Sequence, residues 1–368
     1  MLPHLGGESF GNPASVHSAG RAARAALERA RARVAAAVGA AREEIRFTSG
    51  GTEANNLAIL GLARARESAG RHVLATPIEH ASVLEPLRYL RDGAAFEIEF
   101  LSVDADGGVD PRDVASRLRP DTAFVAIGLA NNEIGTVQPV AAAAAACRAH
   151  GVPLHTDAVQ ALGKMPLDLR GLGADTAALS AHKSGGPTGI GAIYVRAGLV
   201  IPPLLHGGGQ EDGLRPGTPP LPAAVGFGAA AELAAKELDA RCRAFTALAR
   251  RIRDGVDRIS PAPACWNGPR DDGARLPNTL NFVIPGVDGE ALRINLDLER
   301  VSVSAGSACA SGSIQPSHVL LAVGLEPAAA RAALRVSLGA RTQEDEIDRF
   351  LDALARALST ARGTVKRS

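Results

Sequence analysis

Between Ile45 and Val195 short apolar runs alternate with alanine- and leucine-rich stretches of helical spacing, and this alternation leaves the chain very few folds to choose from. The runs Ile45–Thr48, Arg71–Ile78, Phe96–Leu101, Thr122–Leu129, Val152–Thr156, Thr176–Leu179 and Ile190–Val195 read as strands. Helical patterns lie between them: one follows Ser49-Gly50-Gly51-Thr52-Glu53, one spans Asp110–Leu118, and one holds the alanine run 141–146. Strands taken in turn with helices predict an α/β architecture, a mostly parallel sheet covered by helices on both faces. Every polar cluster of this region directly follows a strand. In an open α/β sheet that edge is where ligands bind, and unrelated helix caps have no reason to collect on it.

The most pointed cluster is Ser180-Ala181-His182-Lys183-Ser184-Gly185-Gly186, between two apolar runs. The chain has four lysines, Lys164, Lys183, Lys236 and Lys366, against 36 arginines, so a lysine placed here is unusual for the composition. Lys236 sits in a helical pattern, Lys366 in a basic tail, and Lys164 follows a turn. A lysine fixed at a strand end, with Ser180 and His182 as phosphate donors, suits a Schiff base with pyridoxal phosphate (PLP). Pairing with a carboxylate at a cleft mouth is the plainer alternative.

Three other strand ends carry related signals. Ile45–Thr48 opens into Ser49-Gly50-Gly51-Thr52, and a strand, glycine turn and helix together favour an anion through free N–H groups and the helix dipole. A simple tight turn would look the same. Glu79-His80 ends the next strand, where His80 could lie on a cofactor ring and move protons or could cap the following helix. Asp157, with Gln160 three residues on, could hold a pyridine nitrogen protonated or could cap a helix. Asn131 to Gly135 forms a further polar terminus.

The loop from Leu205 to Thr218 is rich in glycine and lacks periodicity, as functional loops of this length often do. Ahead of the sheet, a helix over Arg21–Val38 is expected, with Ser18 as its cap. Residues from about Ala223 to Ile259 read as a helix pair, and a boundary near Ala235 divides a large domain, 1–235, from a smaller α+β domain, 236–368. In the latter, Asn278–Ile284 and Val301–Val303 read as strands, and Gly289–Leu298, Pro327–Arg331 and Glu344–Ala361 as helices. Cys309 lies in Ser304-Ala305-Gly306-Ser307-Ala308-Cys309-Ala310-Ser311-Gly312-Ser313, where small neighbours cannot pack a core and predict an exposed, mobile thiol. Cys147, Cys242 and Cys265 fit the description of small buried thiols better. Arg335, alone in the apolar run Leu334–Leu338, calls for a fixed anionic partner, either a substrate carboxylate or a structural ion pair.

Composition removes several classes of function. A net charge of +1 and 3% aromatics offer neither the basic surface nor the stacking platforms of a nucleic-acid binder. Four cysteines without a C-x-x-C pair form neither a disulfide framework nor a metal site. With no signal segment and no long apolar run, the cytoplasm is the expected location.

Taken together and in order, residues 49–56, Glu79-His80, Asn131–Gly135, Asp157–Gln160, Ser180–Lys183, His206–Gly209, Arg215–Thr218, Gly306–Cys309 and Arg335–Gly339 resemble the cysteine desulfurases of the class V aminotransferase superfamily, PLP enzymes of fold type I. The resemblance covers nearly the whole chain. It implies that Lys183 carries the cofactor, His80 stacks on its ring, Asp157 pairs with the pyridine nitrogen, and Asn132 and Gln160 touch the ring substituents. Gly51, Thr52, Ser180 and His182 would hold the phosphate, joined by Thr218 from the other subunit of a homodimer. Asn132 and Arg335 would bind L-cysteine, and Cys309 would take its sulfur as a persulfide. The sulfur would then pass to an acceptor for iron–sulfur clusters, thiolated RNA or cofactors. The long Gly/Ser/Ala loop resembles the subgroup with a mobile cysteine. One departure stands out: family members carry an Asp-Asn-Ala-Ala-Thr-Thr-like strand end well before the Asn-Pro turn, and here Met1 lies close upstream of Asn12. That start implies either a late-assigned start codon or a pocket that has lost part of its lining. A lyase related to selenocysteine lyase and a non-catalytic sulfur-transfer scaffold are the alternatives.

Overall fold

The computed structural model describes residues 1–5, 11–305 and 315–365, which fall into two compact units. The first takes in residues 1–102, 109–129 and 138–238; the second takes in 103–108, 130–137 and 239–368. The expected boundary near Ala235 falls inside helix Leu221–Lys236, and the units part just beyond it, at Leu238.

Seven strands make the sheet of the first unit: β1 Ile45–Thr48, β2 His72–Ala75, β3 Glu97–Phe100, β4 Thr122–Ala126, β5 Leu154–Asp157, β6 Thr176–Ser180 and β7 Gly191–Val195. Their order is β1-β7-β6-β5-β4-β2-β3. The run from β6 to β3 is parallel, and β7 is antiparallel to both β6 and β1. The short link from Ala181 to Ile190 cannot hold a crossover helix, so β7 must return beside β6. Strand β4 stops short of its expected end at Leu129; just past it the Gly128 N–H turns to the Glu79 carboxylate.

Helices α1 (Ser18–Ala37), α2 (Gly51–Arg66) and α3 (Ala81–Ala94) lead the connections. The cap of α1 is His17, whose Nδ1 accepts from the Gly20 N–H at 3.2 Å, and not the expected Ser18, which is already helical. Leu57 and Leu62 of α2, Val83, Leu87 and Leu90 of α3, and Phe124 and Ile193 of the sheet close one core. Each such side chain contributes about 1.5–3 kcal/mol on burial, so α2 is clamped against the strand ends that carry the polar clusters. No helix among the described residues is long and apolar enough to cross a membrane.

The second unit has an antiparallel sheet, β8 (Cys265–Asn267), β9 (Thr279–Val283) and β10 (Leu334–Ser337), in the order β10-β9-β8. Its core joins Phe282 and Leu334 to Ile252, Leu296, Phe350 and Leu354 from helices. Val301–Val303 is not the expected strand: Val301 and Val303 pack on this core, but pairing is confined to one bridge between Ser304 and Arg335. Arg300, at φ 60°, turns the chain just before it, which keeps the segment from extending into a ladder.

Candidate active site

Strand ends bring the first unit's polar groups to one edge of the sheet. Asp157 is the last residue of β5 and Ser180 the last of β6. A single 3-10 turn, Ala181–Ser184, then presents His182 and Lys183, both exposed. Gly185 ends that turn at φ +90°, a conformation only glycine adopts readily. At the other strand ends, β1 feeds α2 through Ser49-Gly50, and β2 leads to Glu79 and His80.

The N-terminus of α2 is built for an anion. Gly50 stands at the cap position and offers no side chain to it, and the first backbone bond into the helix comes from Ala54. The earlier amides, those of Gly51 and Thr52 among them, have no intrahelical acceptor. A Cβ on Gly51 would lie 2.6 Å from Val159 Cγ2, so the approach of α2 to the chain after β5 requires glycine. Ser180 Oγ lies 2.9 Å from His182 Nδ1. Arg215 Nε donates to Glu53 Oε1 at 2.8 Å, which ties the Arg215–Thr218 loop to the first turn of α2. Burial pushes the Glu53 carboxyl up, but the hydrogen bonds from Arg215 and Ser49 outweigh it and hold the group below its usual range. Thr218 is exposed in that loop.

Asp157 is held from within the protein. Its Oδ1 accepts from the Val159 N–H at 2.9 Å and its Oδ2 from Asn55 Nδ2 at 2.7 Å. Asn55, fully buried on α2, also donates to Ser82 Oγ at 2.8 Å, and its Oδ1 faces His155 Nε2 at 3.0 Å. His155 Nδ1 in turn lies 3.0 Å from Thr176 Oγ1. Burial drives the His155 pKa down to about 3, so the ring is neutral throughout the working pH range. Burial also pushes the Asp157 carboxyl up, opposed by the Val159 and Asn55 hydrogen bonds and by the charges of His80 and Lys183. The Lys183 charge thus bears on the Asp157 carboxylate, after its burial and its hydrogen bonds.

Lys164 stands in a turn, as its sequence setting implies, but it does not project into solvent. It is buried, and its Nζ donates to Gln160 Oε1 at 2.5 Å. That bond orients the Gln160 amide, with its oxygen toward Lys164 and its nitrogen on the other branch. Burial first, and then the positive charge of Lys183, brings Lys164 down to about 7. Burial also lifts Glu79 to about 7, against hydrogen bonds from the Gly128 N–H and Thr76 Oγ1, while the charge of Asp157 adds to the lift. His80 caps α3: its Nδ1 accepts from the Ser82 N–H at 3.1 Å and lies 2.8 Å from Ser82 Oγ.

In the second unit Arg335 Nη1 donates to the Asn132 carbonyl at 3.3 Å, which brings together the two residues expected to meet substrate. Burial pushes the Arg335 pKa down and Glu133 opposes it. Cys309 lies outside the described residues. Asn55, His155, Ser82 and Lys164 were not singled out by the sequence, although the i, i+2 spacing of His155 and Asp157 puts both on one face of β5.

Comparison with known proteins gives the family. The aminotransferase class-V family matches residues 6–350. The chain belongs to that family, among its cysteine desulfurases. It is 44% identical to the cysteine desulfurase IscS of Dictyoglomus turgidum, over 98% of this chain and 91% of that one. Among solved structures, a NifS-like protein superimposes with a TM-score of 0.90 at 36% identity, covering 98% of this chain and 94% of the other. A structure described as SspA in complex with cysteine matches at a TM-score of 0.78 and 35% identity, over 92% and 93% of the two chains. The likeness to these cysteine desulfurases and NifS-like structures extends over both units and is not confined to the sheet, as the fold-type I expectation requires.

Proposed function

We propose that this desulfurase uses PLP joined to Lys183 to remove sulfur from L-cysteine, leaving L-alanine and a persulfide on Cys309. The observation that carries the reading is that Asp157 ends β5 and Lys183 stands in the turn that follows β6, the strand paired with β5, so both lie at one edge of the sheet. The donor set fits the cofactor. The uncapped start of α2, with Gly51 and Thr52, suits a phosphate together with Ser180 and His182; the doubly held Asp157 suits a pyridine nitrogen; and an exposed amine suits an aldehyde. When bound, PLP supplies an electron sink that lets bonds at the substrate's α- and β-carbons break at neutral pH.

The chain's own groups do the rest. Lys183 would move protons at Nζ, His80 would stack on the ring, and Asn132 and Gln160 would orient its substituents. Arg335 offers two parallel N–H groups to the substrate carboxylate. The Cys309 thiolate attacks the substrate sulfur: the new S–S bond forms as the Cβ–S bond breaks, and the carbon takes a proton. Cysteine and enzyme thiol thus become alanine and enzyme persulfide, with atoms and electrons balanced. The working form is a cytoplasmic homodimer in which Thr218 reaches the partner's phosphate, and the sulfur passes to acceptors for iron–sulfur clusters, tRNA thiolation or thio-cofactors. Exposure of Thr218 on a loop tethered by Arg215 supports that role.

Incubation with L-cysteine should release alanine and leave persulfide in equal amount. Lys183→Ala should lose the visible absorption of the bound cofactor, whereas Cys309→Ser should keep it and form no persulfide. Alanine-free incubations would overturn the reading, and persulfide formed by Cys309→Ser would remove Cys309 from it.

A further inference from the structure

The turn that follows β5 folds a lysine back onto Gln160. The Lys164 N–H donates to the Ala161 carbonyl at 3.0 Å and the Met165 N–H to the same carbonyl at 3.2 Å, while Gly163, at φ 77°, lets the chain close this tightly. Lys164 thereby comes beside Gln160, four residues back, and its Nζ donates to Gln160 Oε1 at 2.5 Å. Lys164 is buried and Gln160 half-buried, so one end of the pair is sealed and the other is open to a ligand. Among the described residues this is the only hydrogen bond of the Gln160 side chain, so nothing else in the chain sets which way the amide faces. An ammonium has three N–H groups and no acceptor, and a flipped amide would set N–H against N–H. Burial and then the Lys183 charge bring Lys164 to about 7, and its neutral form keeps N–H groups for the same oxygen. Burial, the Lys183 charge and the Lys164 charge together lower His182, so Lys164 is felt by both residues of the turn expected to hold the cofactor.

We propose that Lys164 is a positioning residue that fixes the Gln160 amide as a hydrogen-bond donor toward the site, and that the target of this donor is the ring oxygen of the cofactor. The inference rests on the PLP reading above, in which Gln160 meets a ring substituent. Of those substituents the methyl group makes no hydrogen bond, the phosphate and the aldehyde have their own partners, and the oxygen remains. Lys164 acts on that oxygen in two ways without touching it. It removes the freedom of the amide to flip before any ligand arrives, and its charge polarises the amide, which makes the outward N–H a stronger donor to a negative oxygen. A ring without that oxygen gains nothing from either effect.

Two probes that lack the aldehyde, and so cannot join Lys183, test this: 4-deoxypyridoxine phosphate, and the same molecule without its ring oxygen. The ratio of their affinities for the full-length protein freed of cofactor cancels effects on the phosphate and on the fold. Lys164→Met should lower the preference for the oxygen-bearing probe by roughly fivefold, the worth of one net hydrogen bond. In Gln160→Met the same Lys164 substitution should leave the ratio where it is. An unchanged ratio in Lys164→Met overturns the proposal, and so does an equal fall in the Gln160→Met background, because Lys164 would then act through its charge alone. Neutron diffraction from the unaltered protein needs no variant to fold: the Gln160 amide deuterons should point away from Lys164, and an amide nitrogen turned toward Nζ also overturns the proposal. The PLP reading fails by a different result, an unaltered protein that binds neither probe and releases no alanine, whereas binding of both probes with no Lys164 effect on their ratio removes this inference and leaves that reading standing.

Discussion

Asn55 and His155 are closed off from water and every polar atom of their side chains has a named partner, whereas His80, His182 and Lys183 are exposed. The two sets are held by different physics. The buried set is fixed by hydrogen bonds that would each be expensive to leave unmade in a low-dielectric interior. The exposed set is fixed by backbone: a strand end, a 3-10 turn and a glycine cap. The difference teaches where each kind of substitution should act. Changes in the exposed set should alter chemistry and spare the fold, and changes in the buried set should alter the fold first.

The largest expected effect tests the exposed side. Lys183→Arg keeps the positive charge but not a nucleophilic amine, and alanine release should fall by at least roughly 10³-fold. Because an exposed turn residue packs little, Tm should move by no more than about 2 °C. A large loss of Tm in this variant would erase the distinction between the two sets. Next comes the buried side. His155→Leu strands both Asn55 Oδ1 and Thr176 Oγ1, which should cost about 3–5 kcal/mol in denaturant unfolding at pH 7. Burial depresses the His155 pKa to about 3, so the folded ring stays neutral where the unfolded one gains a proton. Wild-type stability from this site is therefore present above pH 6.5 and drains away as pH falls toward 3, and the gap between the two proteins should narrow over that window.

The exposed set was legible in the sequence and the buried set was not, for one reason. A polar residue that interrupts the end of an apolar run is an anomaly, so Lys183 and His80 stand out, as do Asp157, itself held by buried partners, and the Gly50-Gly51 start of α2. Asn55 sits in an ordinary helical pattern, and His155 in an ordinary strand, where their polarity is hidden by neighbours that look like core. Lys164 was invisible because nothing local separates a lysine after a turn in solvent from one folded back beneath Gln160. The strand–helix alternation of the first unit needed only local periodicity, and all seven strands were found. The second unit depends on contacts far apart in sequence, which is why Val301–Val303 read as a strand although the one bridge there is made by the next residue, Ser304.

Glu79 offers a finer test of the buried set, because its pH dependence runs opposite to that of His155. Burial raises it to about 7, so between about pH 4.5 and 7 the folded protein holds a proton that the unfolded chain has lost. Stability from this site is thus full below pH 4.5, falls as pH rises to 7, and is flat above. The drop should be on the order of 3 kcal/mol. Glu79→Gln keeps an oxygen for Thr76 Oγ1 and the Gly128 N–H and cannot ionise, so it should gain on wild type as pH rises through that range. Equal slopes for the two proteins would show that water reaches Glu79 and that the buried set is more open than its hydrogen bonds indicate.

The smallest effect lies between the two extremes of exposure, at the ion pair of Arg215 and Glu53. Both side chains are about one-fifth exposed, so water and salt screen the pair, and Arg215→Ala should cost only about 1 kcal/mol. The Glu53 carboxyl is held below its usual range, so its stabilisation is present at neutral pH and is lost as pH falls through the carboxylate range. The cost of Arg215→Ala should therefore shrink both in acid and in high salt, where the Debye length contracts to about 3 Å at 1 M. Activity should be the more sensitive readout, because Arg215 anchors the loop that ends at Thr218. If alanine release falls well beyond the fold expected from 1 kcal/mol while unfolding barely changes, the pair serves to hold that loop against α2. If both fall together in proportion, the pair is an ordinary structural contact, and Thr218 is positioned by something other than Arg215.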